Sequence, residues 1–222
     1  MDDRDRSPPS PPGSVSGVTG RVAGVTDDVI TGEDLSDTVW AGERWERRTF
    51  TRCDFTGADF AGVETRGCAF TDCDFSRADL TGSRHIATAF RGCTFRSAVV
   101  NRAEFRQCSL LGSVLADCGL RSTRLVEADL TLVGLGGADL RGTDLRGLRL
   151  REANLVDADL RRADLREADL TGARLLGARL EEADLRGARV DAHGLVQARL
   201  AGARVDLPTA IAFAAAHGLV VD

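Results

Sequence analysis

Residues 158–170 read Ala158-Asp159-Leu160-Arg161-Arg162-Ala163-Asp164-Leu165-Arg166-Glu167-Ala168-Asp169-Leu170, a unit of five repeated without a break. Followed outward, the phase holds from Ile30 to Val205. Every fifth position is apolar except Thr65 and His85, which makes 34 of 36. A helix presents a face every 3.6 residues and a half-buried strand every two, so neither yields a period of five. A repeat this short and this persistent specifies a solenoid, whose units bury apolar side chains only by stacking on one another. Two residues before the centre stands a small residue, as at Ala58, Ala78, Ala128, Ala138 and each repeat from Ala153 to Ala183. All six cysteines (Cys53, Cys68, Cys73, Cys93, Cys108, Cys118) fall in this column. Gly occupies the second position after the centre fifteen times between Gly32 and Gly202, where a turn needs a positive φ.

These residues resemble the pentapeptide-repeat family over roughly Ile30 to Val205. Non-repeat details point to one branch of it: Gln107 to Val114 (QCSLLGSV), Leu132 to Leu145, Arg149 to Leu160, and Ala212 to Leu219 (AFAAAHGL). They resemble the mycobacterial fluoroquinolone-resistance type, MfpA- and Qnr-like. The resemblance implies an all-β fold, a right-handed quadrilateral β-helix with a short C-terminal α-helix. Four pentapeptides make a coil, the centre and the small residue point inward, and positions 20 apart stack. The 36 repeats then make about nine coils, a rod about 43 Å long at the ~4.8 Å strand spacing. The implied function is a non-catalytic, DNA-mimicking homodimer that binds DNA gyrase, modulates its activity and lowers quinolone sensitivity. The alternative is a generic pentapeptide scaffold or self-resistance factor that binds a different protein target.

At 222 residues, one elongated domain in three parts is sufficient. Residues 1–26 read as a mostly disordered leader, 27–206 as the β-helix, and 207–222 as a capping and dimerisation helix with its tail. Val15, Val18, Val22 and Val25 would fit a ragged first coil, although the phase is not kept there. No apolar run approaches the ~20 residues of a membrane span, and the charged, then Pro/Ser-rich start lacks the apolar core of a secretory signal. The expected setting is cytoplasmic, without membrane, direct nucleic-acid or small-molecule partners.

The cysteines invite disulfide or zinc readings. In the twenty-residue stacking Cys53, Cys73 and Cys93 share one inner corner, and Cys68 and Cys108 another with Thr88 between. Stacked Cβ vectors run parallel, which is poor bridging geometry, and no C-x-x-C or Cys/His cluster is present. The thiols read as small buried filler alternating with Ala, Ser and Thr. His85 takes a central inward place above Thr65 and below Phe105, a core histidine bonded to Thr65 or to backbone. His193 replaces the small residue at a corner, and His217 closes the terminal helix. No nucleophile or acid–base pair accompanies them, so neither catalysis nor a cofactor or metal is expected.

Charge bears on function. All 29 basic residues are Arg. Residues 27–80 carry 13 acids against 6 bases (−7), 81–126 carry 2 against 7 (+5), and 127–206 carry 15 against 13 (−2). Stacking makes ladders: Asp34/Asp54/Asp74 on one face, Asp59/Asp79 and Asp139/Asp159 on the next, and Asp144/Asp164/Asp184 on another, with Arg146/Arg166/Arg186 alongside. A carboxylate row on a rod resembles a phosphate row and attracts a basic DNA-binding groove. Asp before the centre also serves its own turn by hydrogen bonding. Asp139, Asp144, Asp159, Asp164, Asp184, Asp54, Asp59, Asp74 and Asp79 are the candidate gyrase-facing residues.

After Val205 the period stops. Asp206 and Pro208 are a helix start, and a helix is expected from Leu207 to His217 with Gly218 as its stop. Leu207, Ile211 and Ala215 line one side; Ala210, Phe213, Ala214 and His217 line another. A short helix apolar nearly all round needs cover on both sides. One side, carrying Leu207 and Ile211, is expected to cap the last coil. The other, with Phe213 as anchor and Leu219, Val220 and Val221 adjoining, is expected to meet a second copy across a two-fold axis.

Overall fold

The chain winds in steps of five, and each step adds one side of a four-sided coil. The computed structural model describes residues 29–221, so the leader reading lies outside the described residues. Two adjacent sides contain regular strands. One carries β1 (Val29–Thr31), β3 (Thr49–Thr51), β5 (Ala69–Thr71) and β7 (Ala89–Arg91); the next carries β2 (Arg44–Glu46), β4 (Glu64–Arg66), β6 (Arg84–Ile86), β8 (Glu104–Arg106) and β9 (Arg124–Val126). Every pairing is parallel and advances by twenty residues, as in Ile30↔Phe50↔Phe70↔Phe90 and Trp45↔Thr65↔His85↔Phe105↔Leu125. The other two sides are joined by isolated bridges with the same advance. β10 (Asp169–Leu170) and β11 (Arg189–Val190) continue the first side. The result is a parallel β-solenoid of about eight turns.

The core runs along the axis and changes in character. Phe50, Phe70 and Phe90 stack with centroids 5.0 and 4.9 Å apart, and Phe55, Phe75 and Phe95 at 4.9 and 4.9 Å. From Leu110 onward the centres are almost all buried Leu. Every described cysteine is a buried free thiol. Each Sγ faces the carbonyl of the centre residue 23 positions earlier, such as Cys68 to Trp45 (3.5 Å) and Cys108 to His85 (3.3 Å). Ser113 and Thr123 donate to Phe90 and Val100 in the same way, at 3.0 and 2.9 Å. The column thus holds small donors to the preceding coil as well as filler. Burial pushes the Cys108 and Cys118 thiols up to about 11, which keeps them protonated and unreactive at neutral pH. Native protein is expected to resist thiol reagents, and denatured protein kept from oxygen should titrate six thiols; a denatured count of four or fewer would contradict this.

The second position after the centre lies in the left-handed region at all fifteen glycines of that column, and also at Asp37, Arg52, Ala87, Leu132 and thirteen other non-glycine residues. The coil demands it because that amide must reach the carbonyl 19 residues ahead, as in Asp37 N–H to Thr56 O (2.9 Å) and Arg52 N–H to Thr71 O (2.8 Å). A left-handed non-glycine residue costs about 1–2 kcal/mol, which this hydrogen bond, made at most of these positions, offsets; at Arg102 the amide reaches Ser122 Oγ instead (3.3 Å).

His85 is buried in a polar island. Its Nδ1 lies 2.8 Å from Thr65 Oγ1 and its Nε2 3.0 Å from Ser83 Oγ, while Thr65 Oγ1 is 2.9 Å from Thr88 Oγ1. The ring stacks on Phe105 at 4.9 Å. Burial holds its pKa down to about 3. Below pH ~6.5 the unfolded chain therefore binds a proton that the folded chain refuses. Stability contributed by the neutral ring is intact above 6.5 and falls as pH drops toward 3, at up to roughly 1.4 kcal/mol per pH unit. Urea unfolding at pH 7, 6 and 5 should show this slope, and His85→Phe, which extends the aromatic column, should flatten it. Equal slopes in the two proteins would remove His85 as the cause.

Two features at the C-terminal end depart from expectation. Residues Ala192–Val196 form a helical turn, α1, in place of a regular side, so the ninth coil is incomplete. The chain turns helical there, so His193 is exposed on α1 rather than placed at an inner corner, while Leu195 keeps its buried centre position. α2 (Leu207–Ala216) begins at Asp206, whose side chain accepts from Thr209 N–H, and packs against α1. It ends where Gly218 N–H reaches Ala215 O and Leu219 N–H reaches Ala214 O, a Schellman closure with Gly218 at φ 81°.

Candidate protein-interaction surfaces

The candidate aspartates all use one local device. Oδ1 accepts the amide two residues on, as in Asp54 from Thr56 (2.8 Å), Asp59 from Ala61 (2.9 Å), Asp74 from Ser76 (2.8 Å) and Asp79 from Thr81 (2.8 Å). This Asx turn shapes the corner and leaves Oδ2 facing outward. The ladders stack as the twenty-residue register requires: Asp34↔Asp54↔Asp74, Asp59↔Asp79, Asp139↔Asp159 and Asp144↔Asp164↔Asp184.

What becomes of Oδ2 divides the nine residues into two groups. In the C-terminal half the amide two residues on belongs to an Arg whose side chain folds back. Arg141 grips Asp139 through Nε (2.8 Å) and Nη2 (2.6 Å), and Arg161 does the same to Asp159. Arg146, Arg166 and Arg186 hold Asp144, Asp164 and Asp184 at 2.6–2.9 Å. These guanidiniums hold the Asp139 and Asp184 carboxyls down to about 2 and depress those of Asp144, Asp159 and Asp164. Each pair is bidentate, so the three-rung ladder Asp144/Asp164/Asp184 is neutralised by its own arginines.

In the N-terminal half the same positions carry Thr56, Ala61, Ser76 and Thr81. Asp54, Asp59, Asp74 and Asp79 accordingly form no ion pair among the described residues. With Asp34, bonded to Ser36 N–H and Oγ, they make five carboxylates on two adjoining sides of the first three coils. Rungs about 4.8 Å apart leave the charges too close to ignore one another, and without an ion pair their field projects outward. The difference between A-D-L-R and C-D-F-S is visible in the sequence; the ladders alone do not separate the groups.

The terminal helix also shows which of its sides is free. Phe213 is partly buried against the core and stands edge-on to His217, with ring centroids 4.5 Å apart. Leu207 is 72% and Ile211 43% exposed, and Leu219, Val220 and Val221 are exposed beside them. The sides are thus the reverse of the expected arrangement. Phe213 covers the end of the rod, because only its ring reaches the open core, and Leu207 and Ile211 remain unpartnered. Ala210 and Ala214 are half-buried on the inner side.

Among the described residues no group of His, Cys, Asp and Glu is arranged to hold a metal ion, and no helix is long and apolar enough to cross a membrane. A family model described as "Pentapeptide repeats", in eight copies, matches residues 49–84, 73–112, 108–147 and 149–187. The chain belongs to the pentapeptide-repeat family. Among solved structures it is similar to a trypsin-treated variant of QnrB1, a plasmid-mediated fluoroquinolone resistance protein. The identity is 25%, the TM-score 0.57, and the match covers 88% of this chain and 98% of that one. Full-length QnrB1 matches at 23% identity and TM-score 0.59, covering 86% and 97%. No curated protein sequence matches the chain.

Proposed function

We propose that this pentapeptide-repeat protein is a non-catalytic DNA mimic that binds DNA gyrase, modulates its activity and lowers sensitivity to quinolones. The likeness to QnrB1 over 98% of that chain carries the reading. The un-neutralised carboxylates of the first coils support it, since they present a regular anionic row to a groove built for phosphates. Supercoiling and quinolone-stabilised cleavage by purified gyrase, measured with increasing amounts of the protein, test it. Supercoiling should change and cleavage should fall; no effect in either assay would overturn the proposal. A scaffold for a different protein target is the second reading, favoured by the neutral C-terminal ladders and the net +5 of residues 81–126. The same assays separate the two.

The proposed assembly is a dimer through α2, with Leu207, Ile211, Leu219 and Val220 meeting their two-fold copies. Ile211→Arg places a charge in that contact and should give a folded monomer by light scattering with unchanged circular dichroism. Phe213→Arg should instead loosen the cap and lower the melting temperature. A persisting dimer in Ile211→Arg would leave α2 as a cap alone.

A further inference from the structure

One side of the rod is a single ladder, Asp34↔Asp54↔Asp74↔Thr94↔Val114↔Gly134↔Asn154↔Arg174. Its first three rungs carry carboxylates without an ion pair among the described residues. Past Thr94 and Arg96 the charge stops. Val114, Ala116, Gly134, Gly136, Asn154 and Val156, which flank the buried centres Leu115, Leu135 and Leu155, are all uncharged. Leu132, on the adjoining corner, is held at φ 59° and is 52% exposed; it is the one large apolar side chain among the left-handed residues described. Its amide reaches Arg151 O (2.8 Å), a bond that glycine would make as well and with less strain. Leu111 beside it and Leu176 toward the other edge of the same side are 38% and 56% exposed. The coil does not need an exposed leucine on strained backbone, and outliers of this kind, set in an apolar patch, mark functional surfaces.

We propose that Leu111, Val114, Ala116, Leu132, Val156 and Leu176 form an apolar anchor for the partner that reads the acidic rungs of the same side, a protein whose basic groove is bordered by nonpolar side chains. The anchor presupposes the proposed function and supplies the part of the contact that salt does not screen. Size and continuity select this occupant. Four rungs about 4.8 Å apart, each about three residues of ~3.3 Å across, make roughly 200 Å², against about 800 Å² on each partner of a stable complex. The patch is too small to hold two copies together alone. Asp74 and Val114 lie two rungs apart, about 10 Å along one ladder, so a partner seated on the carboxylates already reaches the apolar stretch. Arg91 and Arg96, on either side of Thr94, mark where a basic groove must end and nonpolar contact begin. The carboxylates then steer the encounter, and the leucines slow dissociation.

Leu132→Gly with Leu176→Ser tests the anchor, since the two columns already hold Gly112 and Ser36 and Ser76. The melting temperature should hold, and gyrase should dissociate about tenfold faster with the salt dependence of its affinity unchanged. Leu176→Ser alone, which leaves the left-handed turn untouched, should give about a threefold change. Parent-like dissociation in both variants would overturn the anchor and leave the proposed function standing. A parent protein that gyrase does not bind would overturn the function and the anchor with it. A dimer lost by light scattering in Leu132→Gly with Leu176→Ser but kept in Ile211→Arg would overturn the anchor and assign this side to a second copy.

Discussion

Phe75→Ala is expected to cost about 3–5 kcal/mol of folding stability. The Phe75 ring stacks between Phe55 at 12° and Phe95 at 6°, both at 4.9 Å. It also meets Phe60, Phe70 and Phe90 edge-on at 5.5, 5.3 and 5.8 Å. Each neighbour is held in its own column by backbone ladders above and below, so none can move into the space left. The cost therefore combines lost transfer energy with a cavity that persists. Cys73→Ala, two residues away, should cost about 1 kcal/mol or less: it removes long Sγ contacts to Phe50 O (3.6 Å) and Thr71 O (3.4 Å) and leaves a residue the column accepts elsewhere. Urea unfolding of the two variants measures both. A loss under about 2 kcal/mol for Phe75→Ala would mean that the coils can collapse around a missing ring, contrary to the rigidity argued from the ladders.

The centre column was legible in the sequence because a solenoid core is one-dimensional. Each centre must be apolar and must meet the residues 20 before and after it, so the period alone names the buried set. Even His85 follows, since its partner Thr65 is the residue stacked one coil earlier. Other features depend on interactions that the period does not encode. The cysteine column reads as small filler, yet the thiols face carbonyls 23 residues back, which requires the turn geometry of two coils together. Left-handed backbone was legible at Gly and not at Arg52 or Leu132, because the inter-coil hydrogen bond, rather than residue preference, imposes it. α2 was legible in extent from Asp206, Pro208 and Gly218. Its orientation was not: a helix apolar all round carries no moment to say which side meets the rod, and Phe213 was placed outward when it belongs inward. The Asp ladders were legible in register, whereas their net charge depended on whether Arg follows two residues later.

Asp54→Asn with Asp74→Asn is expected to weaken gyrase binding by about tenfold at low ionic strength, equivalent to ~1.4 kcal/mol, and to make it less sensitive to salt. Asn keeps an Oδ1 to accept the Thr56 and Ser76 amides, so the turns persist and the melting temperature should hold or rise slightly as two stacked like charges are removed. In a dimer the change removes four charges from a surface where nothing neutralises them. Asp164→Asn with Asp184→Asn removes the same number from a ladder already matched by Arg146, Arg166 and Arg186. If the partner reads the exposed anionic row, the N-terminal pair must have the larger effect on both affinity and salt slope. Affinity measured at two or more ionic strengths for the parent and both variants decides it. A larger effect from Asp164 and Asp184 would move the contact to the C-terminal half of the rod. Equal affinities and slopes for all three proteins would leave both ladders as solvated faces and remove the electrostatic basis for mimicry.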